Sequence, residues 1–143
     1  MHRTAGGEAK SGLVLETASS GPFRVMGTES RLVQVFQNLL TNAFSFSPPG
    51  GRVAVRIIRE RGRIEVSVED EGPGIPANSL TRIFERFYSE RPEGERYGTH
   101  SGLGLSISRQ IVEAHGGRIR AENRLDASGR VCGARFVVSL PAA

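Results

Sequence analysis

The 143-residue sequence has no tryptophan, one cysteine, one lysine and no long apolar run. The single cysteine, Cys132, cannot form a disulfide within the chain, and one cysteine with three histidines argues against a structural zinc site. No apolar run approaches the roughly 18 residues that a membrane span requires, and the first residues lack the apolar core of a signal peptide. We therefore expect a soluble piece without disulfides or structural zinc.

Basic residues outnumber acidic residues by 19 to 15, and every basic residue except Lys10 is an arginine. The formal charge of +4 is compatible with an anionic partner, either a nucleic acid or a nucleotide. The arginines are spread over the chain, and no basic helix with interleaved aromatic residues is present. Nucleic-acid binding is therefore the weakest of the functional hypotheses.

The length and an ordinary balance of 38% hydrophobic and 24% charged residues predict one folded domain. Residues 1–11 are small and polar and read as a tail or linker, which leaves 12–143 as the domain. Periodicity and turn signals predict, in chain order, strands 13–17 and 23–26, a helix over 29–46 capped by Thr28, hairpin strands 53–58 and 64–69, a helix over 78–87, a polar loop over 89–101, a helix that stops at 116–117, and strands 118–123 and 134–140. This order favours an α+β two-layer sandwich, in which three helices cover one face of a mixed, largely antiparallel sheet of about five strands or more.

The helix predicted over 29–46 carries an uncharged polar stripe opposite its apolar face. At about 100° per residue, Gln34, Asn38, Asn42 and Ser45 fall within roughly 80° of one another. Such a stripe is typical of a wall that faces a ligand, and an exposed face that lacks charge by chance is the alternative. Asn42 can offer a neutral carbonyl oxygen to Mg²⁺, and Asn38, one turn away, can reach the same phosphates or a metal-bound water.

A second candidate site follows the second strand of the hairpin. The alternating apolar residues of 64–68 point inward, so strand parity aims Asp70 at the buried side. A buried carboxylate needs a donor, such as the exocyclic amine of a nucleotide base, and Gly72 and Gly74 allow a flat ligand to approach closely. An ordinary Asp-x-Gly turn is the alternative.

A third candidate site is the glycine-containing segment 101–105, where the long polar loop meets a helix. Glycines at a helix N-terminus allow exposed N–H groups to point at an anion, which predicts a phosphate cradle. The segment lacks the third glycine of the dinucleotide fingerprint and the Gly-Lys-Ser/Thr of a P-loop. On its own, Gly102-Leu103-Gly104 is weak evidence.

Taken together, the segments resemble the catalytic ATP-binding domain of bacterial two-component sensor histidine kinases. That domain has the Bergerat fold of the ATPase superfamily that also includes gyrase, the Hsp90 chaperones and MutL. The similarity covers about residues 13–141 and rests on four motifs in the family's order: an N box at 38–43, a G1 box at 70–76, an F box at 83–88 and a G2 box at 102–105.

The resemblance implies that Asn42 binds Mg²⁺, that Asn38 contacts phosphates and that Asp70 holds the adenine amine. It implies a mobile ATP lid over 88–101 and phosphates wrapped by 102–105. It assigns further ATP contacts to Ser45, Phe46, Gly72, Gly74, Ile75, Phe87, Tyr88, Arg91, Ser101, Gly102, Leu103, Gly104 and Leu105.

Several positions depart from the family's common pattern. Ser45 and Phe46 stand where many members have lysine and tyrosine, although the Phe46 ring can still stack on adenine. Ser89 stands where an arginine often follows the F box, which leaves Arg91 as the candidate cation on the phosphate side. Asn38 replaces the glutamate base of the hydrolytic branches, and an amide cannot take a proton. We therefore expect poor spontaneous hydrolysis, as suits a kinase.

None of the three histidines resembles a phosphoacceptor, because His2 lies in the tail, His100 in the predicted lid and His115 at a helix end. We expect an excised catalytic domain that binds Mg·ATP and donates the γ-phosphoryl to a histidine on a separate dimerisation and phosphoacceptor domain. We expect no autophosphorylation by this piece alone, and a response regulator downstream.

We also expect a cytoplasmic domain that touches neither membrane nor nucleic acid, within a parent protein anchored in the inner membrane. The alternative function is a catalytically silent, ATP-binding regulatory domain of the same fold. Ser45 and Ser89, which replace commonly basic residues, motivate that alternative.

Overall fold

The structure, a computed structural model, describes residues 12–17, 21–85 and 104–143. Within these ranges the elements are β1 (Gly12–Thr17), α1 (Glu29–Phe46), β2 (Arg52–Glu60), β3 (Arg63–Glu69), two 3₁₀ turns (Ala77–Ser79 and Arg82–Phe84), α2 (Gly104–Ala114), β4 (Arg118–Leu125) and β5 (Val131–Pro141). Neither α-helix of the described ranges is both long and apolar enough to cross a bilayer.

The strands form one five-stranded sheet in the order β1-β2-β3-β5-β4. β1 pairs with β2 in parallel, and every other neighbouring pair is antiparallel. Alternation along the strands sets the two faces, since Val68 pairs with Phe136 on the inner face and Glu69 pairs with Arg135 on the outer face. The predicted α+β fold with a mixed, largely antiparallel sheet is confirmed.

The hydrophobic core lies between the inner face of the sheet and the two helices. It joins buried side chains from α1, α2, β2, β3 and β5. Phe84, at the end of the second 3₁₀ turn, packs edge-on against Phe136, with ring centroids 6.2 Å apart. The F-box motif therefore begins inside the core rather than in an open loop.

Helix α1 has the predicted bounds. It ends at Phe46 because Ser47 precedes Pro48 and takes an extended conformation, which proline favours in the residue before it. Thr28 is the N-cap residue, but its side chain makes no capping hydrogen bond, so the prediction that it caps the helix is wrong at the level of the side chain. Its carbonyl instead accepts the N–H groups of Arg31 and Leu32.

Two predicted elements are wrong. Residues 23–26 form no strand, and the Arg24 carbonyl accepts a backbone hydrogen bond from the Ala143 N–H. The predicted helix over 78–87 is two separate 3₁₀ turns as far as Glu85, and residues 86–87 lie outside the described ranges. The second turn ends at Glu85, whose ψ of 149° is extended rather than helical.

Candidate functional site

Asp70 lies directly after β3, and the structure confirms that it is turned inward, with 1% of the residue exposed. Its Oδ1 atom accepts hydrogen bonds from the backbone N–H groups of Gly72, at 2.9 Å, and Ala134, at 3.1 Å. Among the described residues, Oδ2 accepts none. Burial raises the pKa of Asp70 above its ordinary value, and the two backbone donors and the nearby Arg124 charge oppose that rise. The result is a rigid, mostly desolvated acceptor.

The loop after Asp70 is fixed to β4 by one asparagine. Asn123 Oδ1 accepts the Ile75 N–H at 2.7 Å, and Asn123 Nδ2 donates to the Ile75 carbonyl at 2.7 Å. Gly74 has a φ of +83°, and a Cβ there would lie 2.9 Å from Asn123 Oδ1. The glycine therefore permits both the left-handed turn and the close docking of the loop. Ile75 itself is a core residue rather than an exposed one.

Charged side chains on the outer face of the sheet support the same loop from behind. Arg124 Nη1 donates to the Asp70 carbonyl at 2.7 Å, and Arg124 Nε lies 3.3 Å from Glu69. Arg135 donates to both Glu69 and Glu122 at 2.7 Å. The Arg135 hydrogen bond holds the pKa of Glu122 below its ordinary value. Asp70 is thus held through its backbone and its side chain at once.

The burial of α1 differs from the predicted faces. The buried residues are Val35, Leu39, Asn42 and Ala43, so the buried side extends toward the predicted polar stripe. Asn42 is 1% exposed, whereas Ser45 is exposed. The stripe is therefore not a uniform open wall, because α2 packs on that side of α1.

Asn38 joins the two helices. Its Nδ2 atom donates to the Gly104 carbonyl at 3.3 Å and to Ser108 Oγ at 3.2 Å, and Ser108 is fully buried. Gly104 is the first residue of α2, so the predicted phosphate contact of the N box lies at the start of the predicted G2 helix. The buried Leu105 side chain belongs to the core, which leaves its backbone for any contact with phosphate.

The end of α1 meets the loop that carries Asp70. A Cβ on Gly72 would lie 2.6 Å from the Phe46 carbonyl oxygen, so only glycine allows this approach. The Glu71 N–H lies 3.5 Å from Ser47 Oγ, and Glu71 Oε1 accepts the Arg52 N–H at 3.0 Å. Phe46 is half-buried and packs against the core. The predicted N box and G1 box are therefore neighbours in space.

The remaining predicted site residues lie outside the described ranges. They are the lid over 88–101 together with Phe87, Tyr88, Arg91, Ser101, Gly102 and Leu103. Their assignments stay predictions.

Sequence reasoning missed the residues that position the site, among them Asn123, Arg124 and Ser108. Asn123 carried a usable signal, because it follows Ile119 and Ala121 at inward positions of the predicted strand, where a polar residue needs a partner. Arg124 and Ser108 carried none, since their partners are 54 and 70 residues away.

The side chains near α1 suit a Mg²⁺ ion that shares its ligands with substrate phosphates and water, rather than a metal ion held entirely by protein side chains. The described residues contain no group of three or more histidine, cysteine, aspartate or glutamate side chains that could hold a metal. A single asparagine oxygen suits Mg²⁺, which keeps several waters and takes its other ligands from substrate phosphates. The family resemblance predicts that Asn42 supplies that oxygen.

A large cleft in the described part of the chain lies away from these residues. About 820 Å³ in volume, it lies between residues 23–27, the start of α1 and the inner face of β2 and β3, and its lining is mainly apolar. None of Asn38, Asn42 and Asp70 lines it. Size alone does not mark the site in this fold.

Comparisons with known proteins agree with the family resemblance. Residues 27–143 match the family described as histidine kinase-, DNA gyrase B- and HSP90-like ATPase. The chain is 60% identical over 121 residues to the Sensor protein ChvG of Rhizobium meliloti (strain 1021), a match that covers 84% of this chain and 21% of ChvG. It thus spans about a fifth of that relative's length.

Two solved structures share the fold. Full-length ShkA in complex with AMPPNP aligns with a TM-score of 0.76 and 28% identity, over 94% of this chain and 26% of that one. The histidine kinase ThkA in complex with the response regulator TrrA aligns with a TM-score of 0.73 and 30% identity, over 93% of this chain and 34% of that one. The chain belongs to the histidine kinase-, DNA gyrase B- and HSP90-like ATPase family, as an ATP-binding domain of the sensor histidine kinase type.

Proposed function

We propose that this domain binds Mg·ATP and presents its γ-phosphoryl to a histidine on a separate phosphoacceptor domain. One observation carries the proposal: Asp70 is a buried carboxylate with one oxygen held by two backbone donors and no described partner on the other. An oxygen left without a protein donor can accept a hydrogen bond from a ligand, and the exocyclic amine of adenine supplies such a donor.

Asn42 would hold the metal through its side-chain oxygen. Bound Mg²⁺ would neutralise charge on the phosphates and orient them for in-line transfer. The chain's own contribution is placement, because the helix that carries Asn42 ends against the loop that carries Asp70. One rigid unit thereby spans the adenine side and the phosphate side.

The phosphate side would use the N-terminus of α2. Helix N-termini favour anions through free N–H groups and the helix dipole, and Gly104 begins this helix. Asn38 is bonded to Gly104 and Ser108, and its amide has no basic group that could activate water. The γ-phosphoryl is thereby spared for a neutral imidazole, which is a nucleophile without help from a base on this domain.

Two relatives support the proposed phosphoacceptor domain and the proposed downstream response regulator. ChvG is named as a sensor protein and is about five times as long as the matched region, which leaves room for an acceptor domain in a protein of that kind. The ThkA complex places a response regulator with a kinase of this fold. We propose the same order here, from ATP to a histidine and then to a response regulator.

The test mixes the chain with the phosphoacceptor domain of its parent kinase and ATP radiolabelled in the γ-phosphate. We expect acid-labile label on the acceptor domain, and none when its acceptor histidine is replaced by alanine. The chain alone should stay unlabelled.

Calorimetry on the same samples separates the two candidate functions. Tight Mg·ATP binding without labelled acceptor would favour the silent regulatory domain, for which the exposed Ser45 in place of a lysine is the motivating residue. No Mg·ATP binding at all would contradict both.

A further inference from the structure

His115 lies at the C-terminal end of α2 and contacts the start of α1. The Gly116 N–H bonds the Glu113 carbonyl and the Gly117 N–H bonds the Val112 carbonyl, which is a Schellman ending with Gly116 at a φ of +78°. This ending places the imidazole at the helix C-cap, where it leaves α2 and reaches a backbone group 87 residues away.

Both ring nitrogens of His115 have backbone partners. The Thr28 N–H donates to Nε2 at 3.1 Å, and Nδ1 lies 2.8 Å from the Ile111 carbonyl oxygen. An N–H group can only donate and a carbonyl can only accept, so Nδ1 carries the proton and Nε2 is bare. This geometry requires the neutral ring.

Gly27 makes room for this contact. A Cβ at residue 27 would lie 2.6 Å from His115 Nε2 and would overlap the ring. The ring therefore needs the glycine before Thr28 in order to reach the N–H.

Side-chain hydrogen bonds connect the two helices near both ends of α2. Asn38 bonds Gly104 and Ser108 at the start of α2, and His115 bonds Thr28 from its other end. The helices consequently run antiparallel, and α2, with 11 residues, is about 16 Å long. Core packing holds α2 on α1, and the His115 contact adds a polar attachment at the end of α2 opposite Asn38.

We propose that neutral His115 is a positioning residue for the phosphate side of the ATP site. By fixing the far end of α2 to the N-cap of α1, it sets where Gly104 lies relative to Asn38 and Asn42. The inference rests on the proposed function. It assigns no contact with ATP to His115, whose effect passes through the orientation of α2.

The first test compares ATP with adenosine. His115→Ala should weaken Mg·ATP binding about three- to tenfold, in line with the loss of one to two hydrogen bonds, and change adenosine binding less than about twofold. Adenosine is insensitive because its base is read by Asp70, on the sheet. His115→Gln keeps an acceptor for Thr28 and should restore most of the affinity. Glu113→Ala, which removes the exposed ion pair with Arg109 one turn away, is the matched control. It should change the affinity for neither ligand.

A double-mutant cycle tests the Thr28 contact itself. Thr28→Pro removes the donated N–H but keeps the carbonyl that begins α1, and its φ of −86° is close to that of proline. Thr28→Pro should weaken Mg·ATP binding as much as His115→Ala does. The double variant should bind Mg·ATP no more weakly than either single variant. Additive losses, or equal losses for adenosine and ATP, would overturn the inference.

The tautomer gives an independent readout. Long-range proton–nitrogen correlation on the unmodified chain should show His115 protonated on Nδ1 and bare on Nε2. An Nε2-protonated ring with ATP binding intact would overturn this inference alone, whereas failure of the unmodified chain to bind ATP would overturn the proposed function and the role of His115 together.

Discussion

The two walls of the candidate site are held by different kinds of contact. The sheet-side wall, residues 70–76, is fixed by backbone groups and by the paired hydrogen bonds of Asn123. The helix-side wall, formed by α1 and α2, has polar contacts made by side chains, with two hydrogen bonds from Asn38 and one accepted by His115. Both walls share the core, so the difference lies in the polar contacts.

This difference suggests a division of labour. A backbone-held acceptor is preorganised for a flat base of fixed shape, and preorganisation reduces the entropy lost on binding. Two helices joined by a few side chains can adjust to phosphates and a metal. Changes on the sheet side should therefore affect base recognition, and changes on the helix side should affect ATP without affecting adenosine.

The largest effect is expected from Asn42→Ala, on the helix side. Loss of the proposed metal ligand should weaken Mg·ATP binding by about 100-fold, the upper range for losing a contact with a charged partner. Adenosine binding should persist. Calorimetry with and without Mg²⁺ measures the affinities for ATP and adenosine. Thr41→Ala, at an exposed position next to Asn42, is the control. Unchanged Mg·ATP affinity would exclude Asn42 as the metal ligand.

Asp70→Asn is expected to weaken ATP and adenosine alike, by about 10- to 100-fold, because both carry the adenine amine. The same substitution should also change how the unfolding free energy depends on pH. Since the pKa of Asp70 is raised, the folded state binds more protons than the unfolded state just above pH 3.8, so the wild-type unfolding free energy falls as pH rises through that window.

The asparagine at position 70 does not titrate and can still accept from Gly72 and Ala134. At neutral pH the variant should thus be at least as stable as the wild type, with the difference growing as pH rises from about 4 toward the raised pKa. Thermal unfolding across this range checks the sign. A variant that loses stability steadily as pH rises, relative to wild type, would contradict the assignment of a buried, raised carboxyl.

Asn123→Ala should cost about 1–3 kcal/mol of unfolding free energy, because two part-buried hydrogen bonds to Ile75 are lost together. Because the loop that carries Asp70 loosens, the affinities for adenosine and ATP should fall by similar factors. Denaturant unfolding and calorimetry give the two numbers. Asn78→Ala, at an exposed 3₁₀ turn, is the comparison variant. If Asn123→Ala weakened the binding of ATP but not of adenosine, the assignment of Asn123 to the sheet-side wall would be contradicted.

The smallest effect is expected from Asn38→Ala. It removes two half-buried contacts to α2 and the proposed phosphate contact, and we expect about a three- to tenfold loss for Mg·ATP with adenosine unchanged. If adenosine weakened as much as ATP, the division between the two walls would fail.

The sequence was informative where the pattern was local. The bounds of α1, the hairpin of β2 and β3, and the inward turn of Asp70 followed from periodicity, proline and strand parity. The burial of Asn42 did not follow, because it depends on where α2 packs, and no local pattern encodes the docking of one helix on another. Residues 23–26 illustrate the same limit, since alternation predicts faces but does not supply a strand to pair with.

Base recognition by Asp70 is most directly tested by comparing ATP with inosine triphosphate, which has a carbonyl in place of the exocyclic amine. The wild-type chain should bind Mg·ATP at least about tenfold more tightly than the inosine nucleotide, as a hydrogen bond to a charged acceptor implies, and Asp70→Asn should remove most of that preference. Equal affinity of the wild type for both nucleotides, or an undiminished preference in Asp70→Asn, would contradict the account.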